Sequence, residues 1–242
     1  GRKALAAGAG VAGRATRGLG WDVTNEGELA LAIAAGVDPT LIIHHGNVRS
    51  IEELRAAVEH EVGLVVIDGP QDIEHLDAVA TGPVDVLLRI TPGIAPATHE
   101  SMATAHHGQK FGVTLDEAPR LFRDLAASKH LRLRGLHFHV GSQITALAPF
   151  ADAVARVAAL GSFEILDAGG GLGVPFTASM DVPDIAPYLE HLDAAMSAAG
   201  FDPATDLIVE PGRPLVPRPW LTACRVRQGT TPSAQTVGAV GR

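Results

Sequence analysis

Short runs of consecutive apolar residues, many of them β-branched, alternate along the chain with longer segments of helical periodicity, and most runs end in a polar or glycine-rich turn. The strand candidates are Trp21–Val23, Leu41–His44, Leu64–Ile67, Val84–Ile90, Leu133–Val140, Phe163–Leu166 and Asp206–Val209. Their apolar residues follow one another instead of alternating with polar ones, the pattern of strands covered on both faces, as in a parallel sheet. Helical segments fall between them at Glu26–Ala35, Ile51–Glu61, Pro70–Ala80, Leu115–Ser128, Leu147–Ala159 and Ile185–Ala199, several opened by Asp, Ser or Thr in a capping position. Seven strands, with a stub at Gly1-Arg2-Lys3, predict an α/β (β/α)8 TIM barrel whose first strand is truncated. A doubly wound open sheet is the alternative, but no G-x-G-x-x-G follows the first strand, and polar clusters sit at the C-terminal ends of nearly all strands.

Composition fits this reading. Apolar residues make up 46% and aromatics 4% of the chain, which suits helices packed on short buried strands better than an aromatic-rich β-sandwich. A domain of 242 residues would bury roughly 70–75% of the surface its unfolded chain exposes. The formal charge of −8 and the lack of any Lys/Arg-rich run argue against nucleic acid as a partner. Cys224, the single cysteine, excludes an internal disulfide, and no signal-peptide pattern or bilayer-spanning apolar run is present, so a cytoplasmic protein is expected. The chain starts at Gly1 and ends in the polar, turn-rich stretch Arg227–Arg242, as a fragment would.

Three segments carry candidate chemistry. The first is His137-Phe138-His139-Val140-Gly141-Ser142-Gln143, where strand alternation puts His137 and His139 on one face. An H-x-H pair is compatible with hydrogen-bonded barrel histidines or with zinc, although no third ligand lies nearby at motif spacing, and no metal ligand is assigned. The second is Asp167-Ala168-Gly169-Gly170-Gly171-Leu172-Gly173, whose glycines could let backbone N–H groups cradle a phosphate or could form a flexible turn. The third, Glu210-Pro211-Gly212-Arg213, places a carboxylate and a guanidinium at the barrel mouth, as a functional pair or an ordinary surface ion pair.

In this order and on consecutive strand ends, the three segments resemble the fold-type III, pyridoxal-phosphate (PLP) dependent decarboxylases, the family of ornithine, arginine and diaminopimelate decarboxylases. Trp21-Asp22-Val23-Thr24-Asn25-Glu26-Gly27-Glu28-Leu29 is similar to the family's D-V-x-S-x-G-E-L segment, and His45-Gly46-Asn47-Val48-Arg49-Ser50 to its G-N-x-K-S turn. Arg89-Ile90-Thr91-Pro92-Gly93, Thr98-His99 and Lys110-Phe111-Gly112 resemble elements typical of the diaminopimelate branch. Lys3-Ala4 stands where the family has a K-A-N motif, with Leu5 in place of Asn.

The resemblance implies a barrel of the alanine racemase-like type over residues 1–216, with 217–242 as the start of a β-domain that is otherwise absent. It implies pyridoxal 5'-phosphate as cofactor, a homodimer when complete, and decarboxylation of a basic or diamino amino acid, foremost meso-diaminopimelate to L-lysine. Lys3 would be the amine nucleophile that anchors the cofactor. His139 would stack on the ring, and Ser142 with Gly169, Gly170 and Gly171 would bind the phosphate. Gly212 would border the cofactor, and Arg213 would reach phosphate or substrate. Glu210 would keep the ring nitrogen protonated. Asp22, Glu28 and Arg89 would support this floor. Cys224 and Tyr188 do not fit the Cys that the family donates across the dimer interface or its Tyr near the phosphate, so neither is given a role. A non-catalytic PLP-homeostasis protein and an inactive fragment are the competing readings.

Overall fold

The apolar runs pair side by side in the order in which they occur along the chain. The computed structural model describes residues 19–94, 111–175 and 180–214, with the backbone of 226–230 and 237–240. Strands β1 (Trp21–Val23), β2 (Ile42–His44), β3 (Leu64–Ile67), β4 (Val84–Thr91), β6 (Leu131–Phe138), β7 (Ile165–Asp167) and β8 (Asp206–Ile208) form one parallel sheet in that spatial order. The short β5 (Val113–Thr114) adds to the end of β4. Helices α1 (Glu26–Ala34), α2 (Ile51–Glu59), α3 (Pro70–Val79), α4 (Ala118–Ala127), α5 (Ala148–Ala158) and α6 (Ile185–Ala198) lie between the strands. Local signals start several of them. Asn25 accepts the Glu28 N–H, Ser50 and Glu53 form a reciprocal capping box, and Pro70 opens α3 after an extended Gly69.

Strand alternation divides the apolar residues between two layers. Ile42, Val65, Ile67, Val86 and Leu88 face the helices and belong to the main core. Ile43, Val66 and Leu87 face the other way and pack with Leu64, Ile165 and Ile208 into a small second cluster. Five strand spacings separate β2 from β8 along the sheet, about 24 Å if it were flat. Yet His45, just after β2, lies 3.1 Å from Glu210, just after β8. The sheet therefore curls round into a barrel, the second cluster fills its interior, and the strand ends face one another across its mouth. The stub expected at Gly1–Lys3 lies outside the described residues.

Differences from the expected elements have local causes. Leu41 belongs to a 3-10 turn, Pro39–Leu41, capped by Asp38, so β2 starts one residue late. The helix expected from Leu115 begins at Ala118, because Thr114 and Glu117 first close a turn through side-chain and backbone bonds. β5 was too short to register as a period. Residues 226–230 and 237–240, read as a polar tail, pair antiparallel as β9 (Val226–Thr230) and β10 (Val237–Val240) in a separate sheet.

A buried ion pair fixes the first loops against the barrel. Arg49 donates to Asp72 at 2.6 Å, to the Val66 carbonyl at 2.6 Å and to the His44 carbonyl at 3.2 Å. Asp72 also accepts the Asp68 N–H at 2.7 Å, which holds the chain at the exit of β3. Replacing Asp72 by alanine strands a buried guanidinium. Chemical denaturation of Asp72→Ala should therefore show a loss on the order of 3–5 kcal/mol, and a loss well below 1 kcal/mol would show that the pair does not hold this region.

Candidate functional site

Strand register builds the floor of the site. Arg89 on β4 is in register with His137 on β6, and His137 with Asp167 on β7, so three polar side chains lie in one row on the inner face. The row sits one inward step above Leu87, Gly135 and Ile165. Pairing of β7 with β8 continues beyond the strands through Ala168 N–H to Ile208 O and Glu210 N–H to Gly169 O, which puts Glu210 beside the glycine loop. Its Oε1 lies 3.1 Å from His45 Nε2 and 3.4 Å from His137 Nε2. The two imidazoles meet edge-on, 5.1 Å apart. Asp22 on β1 is 3.8 Å from His45 Nε2. Arg89 lies 3.7 Å from Asp68 and stacks on Phe111, and Gly112 donates its N–H to Asp68. Phe111 and Gly112 thus brace Arg89 and its partner Asp68.

Burial decides which of these groups carry charge. Burial drives the Asp167 carboxyl well above the usual carboxylate range, and the negative charge of Glu210 adds to this, while the Gly169 N–H opposes it. At Glu210 burial also disfavours the anion, but His137 and His45 outweigh it and hold the carboxyl well below its usual range. The proton of this carboxyl pair stays on Asp167 and the negative charge on Glu210. Burial pulls His137 down to about 4 despite Glu210, and lowers His139 as well, so both imidazoles are neutral at pH 7. Proximity does not amount to saturation here. Among the described residues, His45 Nε2, both His137 ring nitrogens, Asp167 Oδ2 and Glu210 Oε1 are buried without a well-formed hydrogen bond.

The glycine loop is shaped by crowding. A Cβ at Gly169, Gly170 or Gly171 would come within 2.3, 2.4 and 2.2 Å of the carbonyl oxygens of Phe138, Glu210 and Gly141 respectively. Gly169 N–H bonds Asp167 and Gly170 N–H bonds His139 Nδ1, so two of the amides expected to face a phosphate are engaged within the fold. His139 is thereby fixed against the loop.

The remaining expected residues sit around the rim. Ser142 is exposed in the turn after β6. Arg213 donates to Gln143 Oε1 at 2.8 Å, and Gln143, at φ 60°, also donates to the Val174 carbonyl at 2.6 Å. Gly212 N–H turns back on the Glu210 carbonyl. Glu28 accepts from the backbone and hydroxyl of Thr24 and so closes the start of α1. Tyr188 is buried in α6 against Phe150. Lys3 and Cys224 lie outside the described residues. Sequence reasoning assigned no role to His45, Asp68 or Asp167. The available signal was their place at or just past the end of an inner strand, Asp68 directly after the buried Val66-Ile67, Asp167 after Ile165-Leu166 and His45 after Ile42-Ile43-His44.

Residues 9–217 match the family described as "Pyridoxal-dependent decarboxylase, pyridoxal binding domain". The chain belongs to this family. It is 40% identical over 222 residues to diaminopimelate decarboxylase of Actinosynnema pretiosum subsp. auranticum, covering 88% of this chain and 51% of that protein. To the Mycobacterium tuberculosis diaminopimelate decarboxylase it is 42% identical over 218 residues, 81% of this chain and 48% of that one. The chain thus spans about half the length of the curated relatives it matches. Among solved structures, diaminopimelate decarboxylase from Helicobacter pylori complexed with L-lysine superposes with a TM-score of 0.78 at 26% identity, over 86% of this chain and 55% of that one. The enzyme from M. jannaschii gives 0.80 at 25% identity, over 97% and 57%. These neighbours agree with the curled parallel sheet.

Pyridoxal 5'-phosphate is the cofactor that this family's domain takes, and the site fits it. An ionised carboxylate with an orphaned oxygen suits a protonated ring nitrogen, and His139 offers an imidazole face beside the glycine loop. In this pyridoxal-binding barrel no described helix is long and apolar enough to cross a membrane.

The depressed His137 sets a pH dependence. Its folded value of about 4 lies below the ordinary 6.5, so its stabilising contribution is fully present above pH 6.5 and is lost as pH falls towards 4. Asp167, raised by burial, acts in the opposite sense, but equally in a variant that retains it. Urea denaturation at pH 7 and pH 4 should show wild type losing on the order of 3 kcal/mol more than His137→Gln over that interval. Parallel profiles would mean that His137 is not held neutral.

Proposed function

We propose that this chain is the cofactor-holding barrel of a pyridoxal-phosphate-dependent amino-acid decarboxylase that converts meso-diaminopimelate to L-lysine. The observation that carries the reading is Glu210, a buried carboxylate kept ionised by His45 and His137 beside a protonated carboxyl. Such a group holds a proton on a ring nitrogen facing it. Pyridoxal 5'-phosphate, when bound, supplies the electron sink for the electron pair left as CO2 departs. His45 and His137 keep Glu210 charged, and the protonated Asp167 beneath adds no second negative charge to oppose it. His139, pinned by Gly170, covers one face of the ring. Ser142, Gly212 and the loop of Gly169, Gly170 and Gly171 border the phosphate. Arg213, steered by Gln143, reaches substrate or phosphate from the rim. Asp22 and Arg89 brace the floor. Lys3 is the amine that anchors the cofactor.

The choice of substrate rests on the relatives, which are named as diaminopimelate decarboxylases at 40–42% identity. Barrel over residues 1–216 and the start of a β-rich domain from 217 is the division proposed, and the antiparallel β9–β10 pair supports it. A cytoplasmic homodimer, with each barrel mouth completed across the subunit interface, accommodates a site whose described half holds cofactor groups.

Borohydride treatment of the PLP-loaded enzyme should leave one pyridoxyl group on the peptide containing Lys3, read by mass spectrometry, and labelling elsewhere would remove Lys3 from its role. Glu210→Gln should still take up PLP, seen in its visible absorbance, while CO2 release from meso-diaminopimelate falls about 10²–10³-fold. An unchanged rate would make the carboxylate structural.

A further inference from the structure

Three donor atoms converge at the barrel mouth from strands far apart in sequence: His45 Nε2 after β2, His137 Nε2 on β6 and Glu210 Oε1 after β8. All lie within 4.8 Å of one another, and the two histidine–carboxylate separations are 3.1 and 3.4 Å. Adjacent ligand atoms around a tetrahedral zinc ion, with bonds of roughly 2.0–2.1 Å, stand about 3.3–3.4 Å apart. The two edges through Glu210 are already close to this length, and the third lies within 4.8 Å.

Hydrogen bonding alone accounts poorly for the cluster. All three atoms are buried, and none has a well-formed hydrogen-bond partner among the described residues. His137 is 2% and His45 6% exposed, so bulk water does not reach them. A single cation at their centre would satisfy all three. Two imidazoles and one carboxylate are the donor set of zinc and its neighbours in the transition series, not of calcium or magnesium. Three protein ligands leave a fourth position open to the mouth. A search at motif spacing along the sequence misses this triad, because closure of the barrel is what assembles it.

We propose that the cofactor-free protein binds one zinc-class divalent cation through His45, His137 and Glu210, and that this cation and the pyridoxal cofactor exclude each other. The exclusion rests on the reading of Glu210 given above: its carboxylate cannot both ligate a metal and hold the proton of the ring nitrogen. The metal is then an inhibitor of cofactor loading and takes no part in the reaction.

The test uses the full chain, stripped of cofactor and metal, with Co2+ as an optical probe. One equivalent should bind with the intense visible bands of four- or five-coordinate cobalt, and Zn2+ should bleach them. His45→Ala and His137→Ala, checked for a retained thermal transition, should weaken binding by at least about 10–100-fold, the range that loss of even an outer-shell partner costs. PLP added to the cobalt form should release the metal as its own absorbance appears. Only weak six-coordinate bands in wild type, or unchanged affinity in both folded variants, would overturn the site. The wild-type spectrum decides the matter even if a variant does not fold. Simultaneous retention of cobalt and PLP would overturn the exclusion. Failure of PLP to bind metal-free protein would instead count against the cofactor reading and leave the cobalt result to judge the metal site.

Discussion

A carboxylate buried at the mouth of a barrel stays ionised only where donating or positive groups outweigh its lost hydration. For Glu210 those groups come from His45 and His137, on strands that a flat sheet would hold far from β8. Closure of the sheet and ionisation of Glu210 are therefore one event. Without closure the carboxylate loses its partners, and without the histidines burial would protonate it, as burial does at Asp167. The rest of the floor follows from the same register. Arg89, His137 and Asp167 share a row because β4, β6 and β7 pair in parallel with those residues opposite one another. The row sits on an apolar layer that keeps water from below.

The glycine loop shows how packing and ligand binding can select the same residue. Its backbone passes so close to the carbonyls of Phe138, Glu210 and Gly141 that no side chain fits at three successive positions. These glycines are required by the folded chain itself, whatever occupies the mouth. Their conformation brings the loop against the ends of β6 and β8 and fixes His139 at the same time. The amides at Gly169 and Gly170 serve the protein interior, so a three-glycine motif here leaves fewer free amides than its sequence suggests.

Much of this was legible in the sequence. Runs such as Val84–Ile90 have the length and apolar content of strands covered on both faces, and their alternation with helical segments points to a parallel sheet. Segment order placed His137, Gly169 and Glu210 at neighbouring strand ends, as found. What could not be read were contacts made by closure. His45 reads as part of a turn until β2 and β8 meet, and Asp167 reads as an ordinary loop acid until its burial is known. Strand ends were blurred for a similar reason: Leu41 is β-prone, yet Pro39 and Asp38 hold it in a tight turn. The pair β9–β10 carries alternation too weak to separate from a polar tail.

The unsatisfied atoms at the mouth bear on stability as well as chemistry. Buried polar groups without partners cost on the order of 1–3 kcal/mol each, and here five such atoms on His45, His137, Asp167 and Glu210 gather within one site. A fold keeps such a cluster only if a ligand repays it or if the surrounding packing is strong enough to carry it. The core beneath, from Val23 to Met196, supplies that packing. A ligand that satisfies the cluster then binds only the closed barrel, since an open sheet parts His45 from Glu210. Occupation of the mouth and stability of the closed state are thus linked by mass action. Whatever competes for Glu210 competes also for this stabilising effect, because one carboxylate joins both ends of the sheet.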